Sequence, residues 1–141
     1  MQLASVVSRL NAISDFAGRV FLEANDAEAI QRVQQIVPTG TNGAVVFGPR
    51  ETADKSERLG GVEQRITVRF MILICARYAG EAMAAYASLD TLIATTRSQL
   101  LGWVPAIGYR ELHLQSGALL YTSPGLLIWG DTFDTFYYIE A

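Results

Sequence analysis

The chain has 141 residues, half of them hydrophobic and 18% charged, with a net charge of −3 and a pI near 5.1. That length matches one ordinary domain, able to bury roughly 68% of the surface exposed when unfolded, and the composition is globular rather than disordered. The acidic balance argues against phosphate-backbone recognition, which needs clustered positive charge, and no apolar run reaches the roughly 18 residues of a membrane span.

The first element is an amphipathic helix over residues 3–13, where Leu3, Val6, Val7, Leu10 and Ile13 recur at helical spacing. Gly18 precedes a short strand at Val20–Leu22. Asn25 or Asp26 is placed to cap a second helix, with Glu28 in its first turn. Ile30, Val33 and Val37 give that helix a buried stripe, and Pro38 with Gly40 ends it. Asn42-Gly43 reads as a turn into a strand around Ala44–Phe47.

Residues 49–61, PRETADKSERLGG, lack apolar periodicity, and their charges nearly alternate: Arg50, Glu51, Asp54, Lys55, Glu57 and Arg58. The expectation is a solvated, mobile loop; loops this long are often functional. The clearest strand follows from Val62 to Tyr78, where Ile66, Val68, Phe70, Ile72 and Ile74 alternate with Arg65, Thr67, Arg69, Met71 and Leu73. Its second face starts charged and turns apolar at Met71, Leu73 and Cys75, which predicts cover over that half. At about three times the usual strand length, it should bend or project beyond the domain body.

A long helix is predicted from Glu81 to Leu101, burying Tyr86, Leu89, Leu92, Ile93, Thr96 and Leu100. Gly102 stands where a left-handed cap is wanted, and Pro105 bars a restart. Glu111–Tyr121 and Leu126–Tyr138 read as a hairpin around a type II turn at Pro124-Gly125, with Ser116-Gly117 marking a bulge. The fold class is therefore α+β: one domain over residues 1–141, a mostly antiparallel sheet with the long helix on one face, N-terminal helices and a C-terminal hairpin.

The search for chemistry turns on a few residues. Cys75 is the only cysteine and His113 the only histidine, so the chain supplies neither a disulfide nor a Cys/His zinc site. Cys75 lies within MILICARY and reads as core, which suits a reducing compartment. The opening MQLASVVSRLNAI is too short and polar to read as a signal peptide. His113 has no acidic or thiol neighbour at a telling spacing. No phosphate-loop, dinucleotide, nucleophile-elbow or zinc-protease motif is present. The C-terminal IWGDTFDTFYYIEA carries Asp131 and Asp134, but strand parity sends them to opposite faces, so they share neither a metal nor a proton. Trp129, Phe133, Tyr137 and Ile139 make a core face, leaving Asp131 beside it in need of an arginine, Arg77 or Arg97. Catalytic residues, cofactor and metal are all expected to be absent.

Several residues in chain order then carry a resemblance: Gln64, Phe70 and Arg77 on the long strand; Asp90, Leu92 and Arg97 on the helix; the block Leu100, Gly102, Trp103, Pro105; and Trp129, Asp131, Phe133, Thr135 on the last strand. Together they resemble the tail terminator proteins of long-tailed bacteriophages, Mu-like or lambda-like. The resemblance implies a non-enzymatic virion protein at the head-proximal end of the tail, assembled in the host cytoplasm. It implies a homo-oligomeric ring, hexameric in that family, with the tail tube protein and the head–tail connector as partners and neither a membrane nor a nucleic-acid-specific site. The mixed-charge segment (Arg50, Glu51, Asp54, Lys55, Glu57, Arg58) is the expected partner-binding element, and extended strands suit the heterologous contacts of a ring. A neck or head–tail joining protein is the alternative within phage biology. A small-molecule-binding α+β domain, using a cavity under helix 81–101, is the alternative from another class.

Overall fold

The computed structural model describes residues 3–38, 40–55 and 63–140. Helix α1 (Ala4–Asn11) and a 3-10 turn (Ser14–Phe16) lead into strand β1 (Val20–Glu23). Helix α2 (Asp26–Ile36), strands β2 (Asn42–Ala53) and β3 (Glu63–Arg77), helix α3 (Ala82–Leu100), and strands β4 (His113–Ser123) and β5 (Leu126–Glu140) follow. The five strands form one sheet in the order β1-β2-β3-β5-β4, antiparallel except for the β1–β2 pair. The α+β expectation holds.

The alternation along β3 dictates the layering. Its even residues Ile66, Val68, Phe70, Ile72 and Ile74 are buried. The last three join the larger core, closed by Val6 and Leu10 of α1 and by Leu89, Leu92, Ile93 and Leu100 of α3. Phe70 and Phe133, register partners on β3 and β5, stack with ring centroids 6.0 Å apart. Such an aromatic pair adds roughly 0.5–1.5 kcal/mol beyond simple area burial. On the opposite face the odd residues Leu73 and Cys75 are covered by Ala29, Val33 and Val37 of the α2 segment. The expected cover over the apolar half of that face is thus α2.

Local signals hold in several places. Asn25 caps α2, its Oδ1 accepting from the Glu28 N–H at 2.9 Å. Gly102 (φ +78°) and Gly125 (φ +85°) take the left-handed conformations assigned to them. Other expectations need correction. Helix α1 stops at Asn11, and Ile13 leads into the 3-10 turn. Tyr86 is largely exposed; Ala85 takes its place on the buried face of α3. Ile139 is exposed and Tyr137 only partly buried, because the core face of β5 runs out beyond Thr135.

The largest correction concerns residues 42–53. Asn42-Gly43 is not a turn, and residues 49–53 are not loop: all belong to β2. A Cβ at Gly43 would stand 2.8 Å from Val37 Cγ2 and 3.1 Å from the Arg19 carbonyl, so glycine there permits close packing rather than a turn. Beyond Phe47 the strand passes a one-residue register shift at Gly48-Pro49 and pairs again as Arg50↔Arg69 through Ala53↔Ile66. Its hydrogen-bonding partner, the charged half of β3, makes it a strand. Exposure of its side chains hides that from the local sequence.

Candidate functional site

Two polar constellations stand out, one inside the domain and one at its projecting end. The first is built around Asp131, which is fully buried on β5. Arg97 of α3 donates to it twice, Nε to Oδ2 and Nη2 to Oδ1, both at 2.8 Å, in the bidentate geometry that suits guanidinium and carboxylate. The Trp129 indole N–H donates to Oδ1 at 2.7 Å. The Asp131 carboxylate holds the Arg97 guanidinium still more firmly protonated than usual. Of the two candidate partners, Arg97 takes the role; Arg77 instead donates to the carbonyls of Gln34 and Val37 at the end of α2.

The sequence reading missed a further member, Gly117. It lies opposite Asp131 on β4, and a Cβ there would meet Asp131 Oδ1 at 2.4 Å and Arg97 Nη2 at 2.6 Å. The absent side chain is what lets the arginine reach across. A glycine inside a predicted strand, in register with a carboxylate, was the available signal. Both carboxylate oxygens of the fully buried Asp131 accept from side chains of the same chain, so this group ties α3 to the sheet. Cys75 is equally inward: its Sγ donates to the Gly43 carbonyl at 3.2 Å, and burial pushes its thiol up to about 12. That is the reverse of an activated nucleophile.

The second constellation is a three-stranded arm. Strand β1 ends level with Phe47 and β4 begins level with Asp134, so the ends of β2, β3 and β5 project past both. One face of the arm carries Arg50, Arg69 and Arg65. Arg65 lies over the Phe136 ring (5.3 Å) and pairs with Asp54, and Phe136 packs edge-on to Tyr138 (5.8 Å). On the other face Glu51 accepts from the Tyr137 hydroxyl at 3.3 Å, and Tyr137 meets Tyr109 edge-on at 5.1 Å.

Arg50, Glu51 and Lys55 are exposed, and Asp54 is partly buried; Glu57 and Arg58 lie outside the described residues. The structure thus separates the expected partner-binding residues. Glu51 and Asp54 have partners within the arm, whereas Arg50 and Lys55 form no ion pair with any described residue. Arg50 also stands directly opposite Arg69, and like charges so placed repel. Arg69 finds some relief in Asp134 at 3.8 Å. The row continues across the sheet, because His113 is the register partner of Asp134 and its Nε2 lies 3.5 Å from Glu111 Oε1. His113 therefore does have acidic neighbours, one by strand spacing and one by cross-strand pairing, contrary to the sequence reading.

Beside Arg50 and Arg69 an open depression of about 480 Å³ lies between the start of α2 and the β2 irregularity, floored by Phe47 and Met71. The interface between α3 and the sheet, by contrast, is filled by Ala85, Leu89, Leu92 and Leu100. Among the described residues, no three His, Cys, Asp or Glu side chains are grouped to hold a metal ion.

These features define a small α+β subunit with a buried polar tie and a projecting, arginine-bearing arm. The family model for the phage tail terminator protein matches residues 1–141, and the chain belongs to that family: it is a structural protein of the phage tail. A solved structure described as the virion of a native gene transfer agent particle contains a chain of the same fold. The likeness has a TM-score of 0.63 at 14% identity and covers 98% of this chain and 93% of that one. No curated protein matches the sequence.

Proposed function

We propose that this protein caps the tail tube as a homo-oligomeric ring, ends tube polymerisation and then presents the surface to which the head connector attaches. The observation that carries this reading is the arm. It extends past the ends of β1 and β4 and displays Arg50 and Lys55, whose charges find no counterpart among the described residues of their own chain. The repulsion between Arg50 and Arg69 is relieved when an acidic group of a partner enters the open depression between them and α2. The partner-binding set is therefore centred on Arg50 and Lys55, with Glu51 and Asp54 shaping the arm and Glu57 and Arg58 continuing the same segment. The partners are neighbouring copies, the tail tube protein and the head connector.

The double variant Arg50→Glu/Lys55→Glu tests this. Both residues are exposed, so the variant should fold with wild-type stability, as surface changes away from buried features do within about 0.5 kcal/mol. Phage carrying it should fail to produce completed, head-bearing tails. Normal titres from a stably expressed variant would count against the arm as the contact surface.

A further inference from the structure

We infer that adjacent copies in the ring join edge to edge, strand β1 of one copy adding antiparallel to strand β4 of the next, so that one sheet runs through the joint. The inference rests on the ring reading above and identifies the surfaces that make it. The described sheet has two edges, and they match. Strand β1 is four residues long, Val20 to Glu23. Strand β4 shows register shifts between Leu114 and Ser116 and between Leu119 and Tyr121, and its longest regular run, Ser116 to Leu119 between them, is also four residues.

The two runs lie at the same level of the sheet. Following the register across, Glu23 is level with Phe47, Met71, Thr132 and Ser116. Val20 is likewise level with Ala44, Ile74, Trp129 and Leu119. Strand β1 runs parallel to β2, and three antiparallel pairings then carry the direction to β4, so β1 and β4 point in opposite directions. A neighbouring copy in the same orientation thus presents β4 to β1 in antiparallel sense and in register, without sliding. An isolated edge is normally blunted by charge or proline. The run Ser116–Leu119, SGAL, carries neither.

Side chains and charges agree with that joint. Leu22 is 50% exposed and Leu119 is 38% exposed, on the same face of the sheet. In the joined sheet they become diagonal cross-strand neighbours, close enough for long side chains to touch. The charged row across the arm is also polar end to end. It starts with Arg50 and Arg69 on the β1 side and finishes with Asp134, His113 and Glu111 on the β4 side. Repeating the subunit through this joint brings the basic end of one row toward the acidic end of the next. A foreign strand could pair with either edge, but only a second copy has both edges and both charge ends already matched.

The test is a disulfide across the joint. Directly opposed residues of an antiparallel pair have Cα atoms about 4.5–5.5 Å apart, within disulfide range. Full-length Glu23→Cys/Ser116→Cys should therefore form a non-reducing ladder of covalent oligomers up to the ring, from the free protein at high concentration or from completed tails. Each single variant should give none, and the native Cys75 is buried and adds no background. The displaced pair Glu23→Cys/Thr122→Cys should also stay unlinked. Rings that form normally but yield no ladder, or ladders equally strong with the displaced pair, would overturn the edge-to-edge joint while leaving the ring reading intact. A protein found as a monomer both free and in tails would overturn the two together.

Discussion

Asp131→Asn removes the charge from the buried tie and keeps its volume, so its cost can be worked from the contacts. The native carboxylate accepts two hydrogen bonds from Arg97 at 2.8 Å and one from Trp129 at 2.7 Å. An asparagine amide offers one acceptor oxygen and turns an NH₂ group toward the guanidinium in either orientation, and in one of them toward the indole as well, both pure donors. Removing one partner of a buried pair costs about 3–5 kcal/mol. Because the Arg97 side chain is 29% exposed and so recovers some hydration, the lower end, about 3 kcal/mol, is expected. For a chain of this size that is a fall in Tm of roughly 6–12 °C. Urea denaturation of wild type, Asp131→Asn and Asp134→Asn measures it. Asp134→Asn is the control, since its contact with Arg69 is 3.8 Å long and Arg69 is more than half exposed; it should cost less than about 1 kcal/mol. Equal losses in the two variants, or a loss below about 1 kcal/mol for Asp131→Asn, would refute the view that this group ties α3 to the sheet.

Other expectations follow from the same geometry. Gly117→Ala should destabilise by about 1–3 kcal/mol, because the new methyl group meets Asp131 and Arg97 and one of them must shift. Combined with Asp131→Asn it should cost markedly less than the sum, since the tie is then already broken; full additivity in the denaturation data would contradict this. Cys75 should resist an aromatic disulfide reagent at pH 8 in the native protein and react at once in denaturant. Its thiol titrates near 9 when unfolded and about 12 when folded, so folding holds the protonated form. The stability this contributes is complete below pH 9 and is lost between pH 9 and 12, at up to about 1.4 kcal/mol per pH unit. The stability difference between wild type and Cys75→Ala should shift against wild type across that window. A difference independent of pH would argue that the thiol is not held protonated.

How much of this was legible in the sequence depends on where each residue's reasons lie. The alternation along β3 announces a strand because both of its faces sort by polarity, and parity alone separated Asp131 from Asp134 and demanded an arginine for the buried one. Arg97 met that demand from a helix 34 residues upstream, a pairing that the residue types allow but spacing does not show. Residues 49–53 were illegible for the opposite reason. Their side chains are exposed, so no alternation survives, and the strand is imposed by hydrogen bonding to β3. Gly43 and Gly117 misled in the same way. Each is defined by what a Cβ would strike on another element, which only the folded chain brings near. The candidate site follows this division: its charged residues could be read from the sequence, but their sorting into arm-internal pairs and an Arg50 and Lys55 with no ion pair among the described residues could not.

The most direct test of the proposed role is the tail-length distribution of particles assembled without this protein, measured by negative-stain electron microscopy and compared with wild type. A ring that ends tube growth and carries the head attachment surface predicts tails of irregular, extended length without heads, corrected when the protein is supplied in trans. Tails of normal length joined to heads in its absence would contradict that role.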